Sequence, residues 1–298
     1  TDGLFYSQKF SSTSNPLNYN WNSASTTDGN YTIEATSYDR AGNQNTTQIT
    51  IVIANTAPLI YFNSPLSGIY NTTQLANITA FDLNLDKILL YVNGSVVNST
   101  TGTNLYYLLG EGNYSVYAIA NDSLGNTNQT ETRNILIDLT APVTTNNAPA
   151  GWQKNYVNVT LTPTDNLAGI FSTLYCVDQN NSCIPGTSGT NVLITIEGIN
   201  YIRYYSIDNA GNAELTKFTQ VWIDTIFPAI SFVNPTTNSS SLSQNFIQAN
   251  LSFSDANLGI ANIFLFNSIQ NIINSTSGTT STLFINFTGL ADGTYYLN

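Results

Sequence analysis

The chain has 298 residues, 42% hydrophobic and 12% aromatic, enough apolar surface for folded cores rather than a disordered tail. Only 8% of residues are charged, and a formal charge of -11 with seven Lys or Arg repels phosphate backbones and anionic surfaces, which excludes nucleic acid as a partner. With no His, neither a Ser-His-Asp nor a Cys-His arrangement can be drawn, so no enzyme is expected, and no apolar run reaches the roughly 18 residues of a membrane span.

Taken in chain order, "GLFYSQKF" around Leu4 is the first strand-like run, followed by "DGNYTIEATSYDRAGN", Asp28 to Asn43. A proline phrase, "NTAPLI", then opens a series of short runs: "LIYFNSP", "QLANITAFD", "KILLYVNG" and "NLYYLL". All are rich in β-branched and aromatic residues and bounded by Gly, Asn, Asp or Pro, so they are predicted strands. The phrase from Asp28 returns as "EGNYSVYAIANDSLGN", Glu111 to Asn126, in which Tyr114, Val116, Ala118, Ala120 and Asp122 share one face. That period of two is a strand, and no helical period occurs anywhere. After "ETRNILID" and "DLTAPVT", the pair Cys176 and Cys183 in "YCVDQNNSCIPG" has a spacing that closes a small loop and matches no usual zinc pattern, so a disulfide and an oxidising compartment are expected. The phrase comes back a third time as "EGINYIRYYSIDNAGN", Glu197 to Asn212, and begins a fourth time at "DGTYYLN", Asp292 to Asn298.

The copies start at 28, 111, 197 and 292, intervals of 83, 86 and 95 residues; the linker prolines 58, 142 and 228 lie 84 and 86 apart. The expected division is 1-57, a partial domain with C-terminal strands; 58-141; 142-227, carrying the disulfide; and 228-298, a partial domain with N-terminal strands. "GLFYSQKF" aligns with "KILLYVNG", which leaves the first two strands missing before it, and the last unit stops within its sixth strand, so a segment of a longer chain is expected. About seven short strands per repeat is the pattern of an immunoglobulin-like sandwich, giving an all-β array of such domains end to end. In that frame Tyr31, Tyr114, Tyr201 and Tyr295 take the tyrosine-corner position, with one extra residue, Ile199 or Asn200, bulging in the third copy. Gly42, Gly125 and Gly211 supply the positive φ of the following hairpin. These phrases resemble the tandem bacterial and archaeal Ig-like repeats of large cell-surface and adhesin proteins. The resemblance covers nearly the whole chain and implies an extracellular structural repeat: a stalk, surface filament or surface-layer component whose partners are copies of itself or the rest of a longer chain. A carbohydrate-binding or adhesin module and an accessory region of a secreted enzyme are the alternatives, with Tyr107, Tyr117 and Tyr205 as candidate outward rings.

Asn-x-Ser/Thr occurs at Asn30, Asn45, Asn71, Asn77, Asn93, Asn98, Asn113, Asn121, Asn128, Asn158, Asn180, Asn238, Asn250, Asn274 and Asn286. Composition alone would produce roughly nine. Strand phase turns Asn77, Asn158 and Asn250 away from inward-facing neighbours, so N-linked glycans are expected. The sandwich topology gathers turn acids at each linker: Glu111, Asp138, Asp165 and Asp208 at one, Glu197, Asp224 and Asp255 at the next, and Asp28, Asp82 and Asp122 with Asn55 at the first. Oxygen ligands so placed suit calcium. The competing reading is that each acid caps its own turn.

Overall fold

In the computed structural model, residues 12–13, 17–237 and 241–298 are described. They form strands and turns without a helix, and so contain none long and apolar enough to cross a membrane. The strand-like run at Leu4 and the sequon at Asn238 lie outside the described residues.

Strands β1 (Gly29–Tyr38) and β2 (Gln44–Ile53) make a two-stranded antiparallel sheet. The next sandwich uses β3 (Leu59–Ser64), β4 (Gly68–Tyr70), β5 (Gln74–Phe81), β6 (Leu85–Val92), β7 (Ser95–Thr100), β8 (Asn104–Leu109), β9 (Gly112–Asp122), β10 (Thr127–Gln129) and β11 (Arg133–Ile137). One sheet runs β3-β5-β8 and the other β4-β11-β9-β6-β7, with β10 on β9. The third group is β12 (Val143–Asn146), β13 (Trp152–Gln153), β14 (Val157–Thr164), β15 (Ile170–Asp178), β16 (Thr187–Ser188), β17 (Asn191–Ile194), β18 (Gly198–Asp208) and β19 (Lys217–Ile223). Its sheets run β12-β14-β17 and β13-β19-β18-β15-β16. The fourth is β20 (Ala229–Phe232), β21 (Phe246–Ser254), β22 (Ala261–Asn267), β23 (Ile272–Gly278), β24 (Thr282–Thr288) and β25 (Tyr295–Leu297), in sheets β20-β21-β24 and β23-β22-β25. The fold class is therefore all-β, tandem immunoglobulin-like sandwiches.

Period-two alternation builds the cores. On β5, Ala76, Ile78 and Ala80 are buried and Asn77 faces away; on β9, Val116, Ala118 and Ala120 are buried, completing a cluster with Ile88, Leu90, Ile135 and Ile137. Val159, Leu161, Val192, Ile194, Ile202 and Tyr204 centre the third group, and Ala249, Leu251, Phe253, Ile263, Leu265 and Phe287 the fourth. Tyr107 follows the same rule and packs against the first cluster rather than outward, because it shares the phase of buried Leu105 and Leu109.

The chain divides into two compact units. One holds the described residues up to Pro142 with Thr164–Phe171 and Ile207–Ala213; the other holds Val143–Pro163, Ser172–Ser206 and Glu214–Asn298.

Tyrosine corners close three of the four repeats: Tyr31, Tyr114 and Tyr295 donate their hydroxyls to the carbonyls of Thr27 (2.7 Å), Glu111 (2.9 Å) and Ala291 (2.8 Å). At Gly112 the φ of 152° and the ring of Tyr114 leave no room for a side chain, since an added Cβ would lie 2.7 Å from its hydroxyl. The third repeat corrects the expected bulge. Strands β9 and β18 are both 11 residues long, and the register from Gly198↔Ile223 to Tyr204↔Lys217 is unbroken. Asn200, not Tyr201, therefore holds the corner, donating from Nδ2 to the carbonyls of Ile196 (2.7 Å) and Gly198 (3.1 Å), and Tyr201 turns to the outer face.

Candidate functional site: the repeated joints

Within the first unit, the joint after β2 is held from two sides. Asp28 accepts the backbone N–H of Asn55 (2.6 Å) and of Thr56 (3.2 Å) and the Thr56 hydroxyl. These bonds, Asn55 foremost, hold the Asp28 carboxyl below its ordinary range. From the next sandwich, Asn126 Nδ2 donates to the Ala54 carbonyl (3.0 Å) and to Asp122 Oδ2 (2.7 Å). Asp122 also receives the Asn126 N–H (2.8 Å); burial pushes its carboxyl up, but the Asn126 bonds outweigh that and leave it lowered.

The same residue types rebuild the joint after β11. Glu111 accepts the Thr140 hydroxyl (3.1 Å) and Asn166 Nδ2 (2.6 Å). Asn212 Nδ2 donates to the Asp138 carbonyl (2.8 Å) and to Asp208 Oδ2 (2.7 Å), repeating Asn126. Within the second unit, Glu197 accepts the Thr225 N–H (3.1 Å) and its hydroxyl, and Asn257 Nδ2 donates to Asp224 Oδ2 (3.0 Å). The phrase thus does two local jobs. Its opening acid holds the Thr beyond the following strand, and its closing Asn bridges its own Asp turn to the preceding linker. Gly42, Gly125 and Gly211 make that turn possible, at φ of 89°, 95° and 96°.

Of the acids read from topology, Asp138, Asp165 and Asp208 converge, with ligand oxygens all within 4.8 Å of one another. Glu111 sits apart from that trio, on Thr140 and Asn166. Asp138 is fully buried and receives the N–H groups of Thr140 (3.0 Å) and Ala168 (2.7 Å). Asp208, 1% exposed, receives those of Asn212. Asp165 Oδ2 receives Leu167 (3.1 Å) and Gly169 (2.8 Å), whereas its Oδ1 is buried with no hydrogen-bond partner. No Lys or Arg among the described residues pairs with any of the three. Three carboxylates with one unused buried oxygen form an oxygen-only donor set, the kind that hard cations take.

The disulfide joins Cys176 and Cys183. Inside its loop Asp178 accepts the N–H groups of Asn181, Ser182 and Cys183, which lower its carboxyl. Of the sequon asparagines, Asn30, Asn45, Asn71, Asn93, Asn113, Asn128, Asn158, Asn180, Asn274 and Asn286 are exposed, and Asn77, Asn98, Asn121 and Asn250 are half-buried. Tyr117 lies on the outer face, its ring stacked on Tyr91 at 4.7 Å and 5°.

Thr56, Thr140, Thr225, Asn126 and Asn212 were not singled out by sequence. Their signal lies in the repeat itself, because each Thr stands two or three residues before a linker proline and each Asn closes a repeat phrase.

No protein-family model and no curated protein matches the chain. Among solved structures, the tetra-tandem repeat in the extending region of a large adhesion protein aligns at 18% identity over 91% of this chain and 76% of that one, with a TM-score of 0.34. The D1-D4 ectodomain fragment of ICAM-5 aligns at 13% over 90% and 81%, with a TM-score of 0.40. Fibronectin(III)-like modules of Clostridium thermocellum CbhA align at 16% over 55% and 94%, with a TM-score of 0.30.

Proposed function

We propose that the chain is an extracellular structural repeat segment that acts as a spacer in a stalk, surface filament or surface-layer component and carries out no catalysis. Its units in this reading are the partial domain 1-57, the domains 58-141 and 142-227, and the partial domain 228-298, continued by copies of itself or by more of a longer chain. The observation that carries it is the joint: acid to Thr is rebuilt three times, and Asn to the preceding linker twice, in different sequence contexts. Repeats that keep their connections while their other surfaces diverge are arranged for reach. A Cys pair closed as a disulfide supports an oxidising, extracellular setting. Negative-stain microscopy of native material tests the reading. Regular rods or filaments are the expected result, and isolated globular particles would refute it.

N-linked glycosylation belongs to the same proposal, with Asn77, Asn113, Asn158 and Asn250 as its first test positions. A chain with 8% charged residues has few other means of keeping long arrays apart. Peptide mapping of native protein is expected to find all four modified.

Calcium at Asp138, Asp165 and Asp208 is the accompanying proposal, supported by the unpartnered Asp165 Oδ1 beside two buried carboxylates. An ion there would offset their mutual repulsion and stiffen the linker. Removing calcium with chelator is expected to lower the melting temperature of a fragment spanning residues 58-227; an unchanged transition would leave the three acids as turn caps.

A further inference from the structure

The outer face of the β13-β19-β18 sheet carries two aromatic pairs. Trp152 and Trp222 meet at 5.6 Å and Tyr201 and Phe218 at 6.2 Å, and the pairs lie along the strands at the registers Trp152↔Trp222, Gln220↔Tyr201 and Phe218↔Arg203. Trp222 and Phe218 are four residues apart on β19, so the row of rings runs about 13 Å at strand spacing. Trp152 is 42% and Phe218 57% exposed. Between them Trp222 Nε1 donates to Gln220 Oε1 (3.2 Å), which fixes the amide with its NH₂ side facing away from the indole. One border is rigid: the loop closed by Cys176–Cys183 receives Arg203 Nη1 on the Asn181 carbonyl (2.7 Å).

The fold does not require these rings. In the preceding sandwich the matching register positions are Ile69 for Trp152, Leu136 for Trp222, Asn134 for Gln220 and Ser115 for Tyr201, with Thr132 ahead of β11 for Phe218. At these positions the preceding sheet closes over its core with small, polar or aliphatic residues, and its own outer ring pair, Tyr91 and Tyr117, stands on β6 and β9 instead, so rings along β13 and β19 are particular to the third sandwich.

We infer that this face of the third sandwich binds a neutral carbohydrate chain carried by another molecule. Flat rings at intervals offer apolar floors for sugar faces, while a fixed amide and a guanidinium with uncommitted N–H groups supply donors to hydroxyls at the edges. A formal charge of -11 argues against an acidic polysaccharide, because Arg203 is the only cation among the ring-bearing positions. A second copy of the chain would present the same acidic surface, which disfavours it as the occupant. The inference does not depend on the spacer reading, and either can fail without the other.

The test is affinity electrophoresis of the full chain through gels holding soluble mannan, laminarin or xylan. Retardation in at least one gel is expected. The variant Trp222→Leu/Tyr201→Ser/Phe218→Thr, built from side chains the neighbouring sandwich already tolerates, is expected to lose about tenfold or more in apparent affinity, the scale of a few ring contacts. An unchanged far-ultraviolet dichroism spectrum and unfolding transition would show that it still folds. No retardation in any of the three gels, or retardation that survives the triple substitution in the folded variant, overturns the inference. So does concentration-dependent self-association without sugar that the substitution abolishes, since that would assign the face to a second copy.

Discussion

The second and third sandwiches share their sheet order but close one end of the core in opposite ways. Where the second buries Ile60, Ile88 and Ala120, the third buries Thr144, Thr173 and Ser206. Thr144 and Ile60 each stand two residues beyond a linker proline, Ser206 and Ala120 match along β18 and β9, and Thr173 and Ile88 are the first buried residues of β15 and β6. The hydroxyls form a chain, with Thr144 Oγ1 2.6 Å and Thr173 Oγ1 2.8 Å from Ser206 Oγ. Glu214 completes it by accepting the N–H groups of Ser206 (3.0 Å) and Thr144 (3.1 Å), and Lys217 pairs with Glu214 at 2.6 Å. These positions must be buried and satisfied, and apolarity is only one way to achieve that.

The largest way to break the comparison is Glu214→Ala, which leaves two buried N–H groups without their acceptor and takes the carboxylate from Lys217, whose ammonium keeps the Thr144 carbonyl (3.0 Å). We expect a loss of about 2–4 kcal/mol in the unfolding followed by Trp152 and Trp222 fluorescence. Burial pushes the Glu214 carboxyl up, but bonds from Lys217 and Thr144 outweigh it and hold it below its usual 4.5. Its contribution is therefore full above about pH 4.5 and is lost as pH falls through the lowered folded value. Glu214→Gln should flatten the acid limb of that titration.

Replacing Cys176 and Cys183 together by Ser, in a sandwich whose predecessor has no such bond, is expected to remove about 2–3 kcal/mol, the chain entropy of a small loop. The corner substitution comes next. Asn200→Ala orphans two carbonyls and should cost about 1–2 kcal/mol, against about 1 kcal/mol for Tyr114→Phe, which removes one hydroxyl bond. Equal effects in urea titrations of the two variants would mean that the Asn corner is no tighter than the Tyr corner.

Strand phase, linker prolines and the Gly of each hairpin could be read from sequence because each depends on one residue and its neighbours. The convergence of Asp138, Asp165 and Asp208 was readable once the topology was assumed, since loop ends follow from strand order. Asn200 is masked in sequence by the Tyr next to it, and aligning on Tyr201 implies a bulge that equal strand lengths exclude. The hydroxyl chain was hidden for another reason. Thr and Ser on a strand signal a solvated face unless a distant partner such as Glu214 satisfies them, and such partnerships are tertiary. Topology alone groups Glu111 with the carboxylates, because loop proximity says nothing of whether a side chain turns toward Thr140 and Asn166 or toward its fellow acids.

In the second sandwich β4 runs parallel to β11, pairing Gly68, Ile69 and Tyr70 with Ile135, Leu136 and Ile137; in the third, β13 runs parallel to β19. Parallel neighbours near the beginning and end of a module are drawn past each other when its two linkers are pulled apart. Their hydrogen bonds lie across that pull and must yield together instead of opening one by one. These two sandwiches would therefore resist stretching by shear, and an array built from them would transmit tension without first unravelling at its weakest bond.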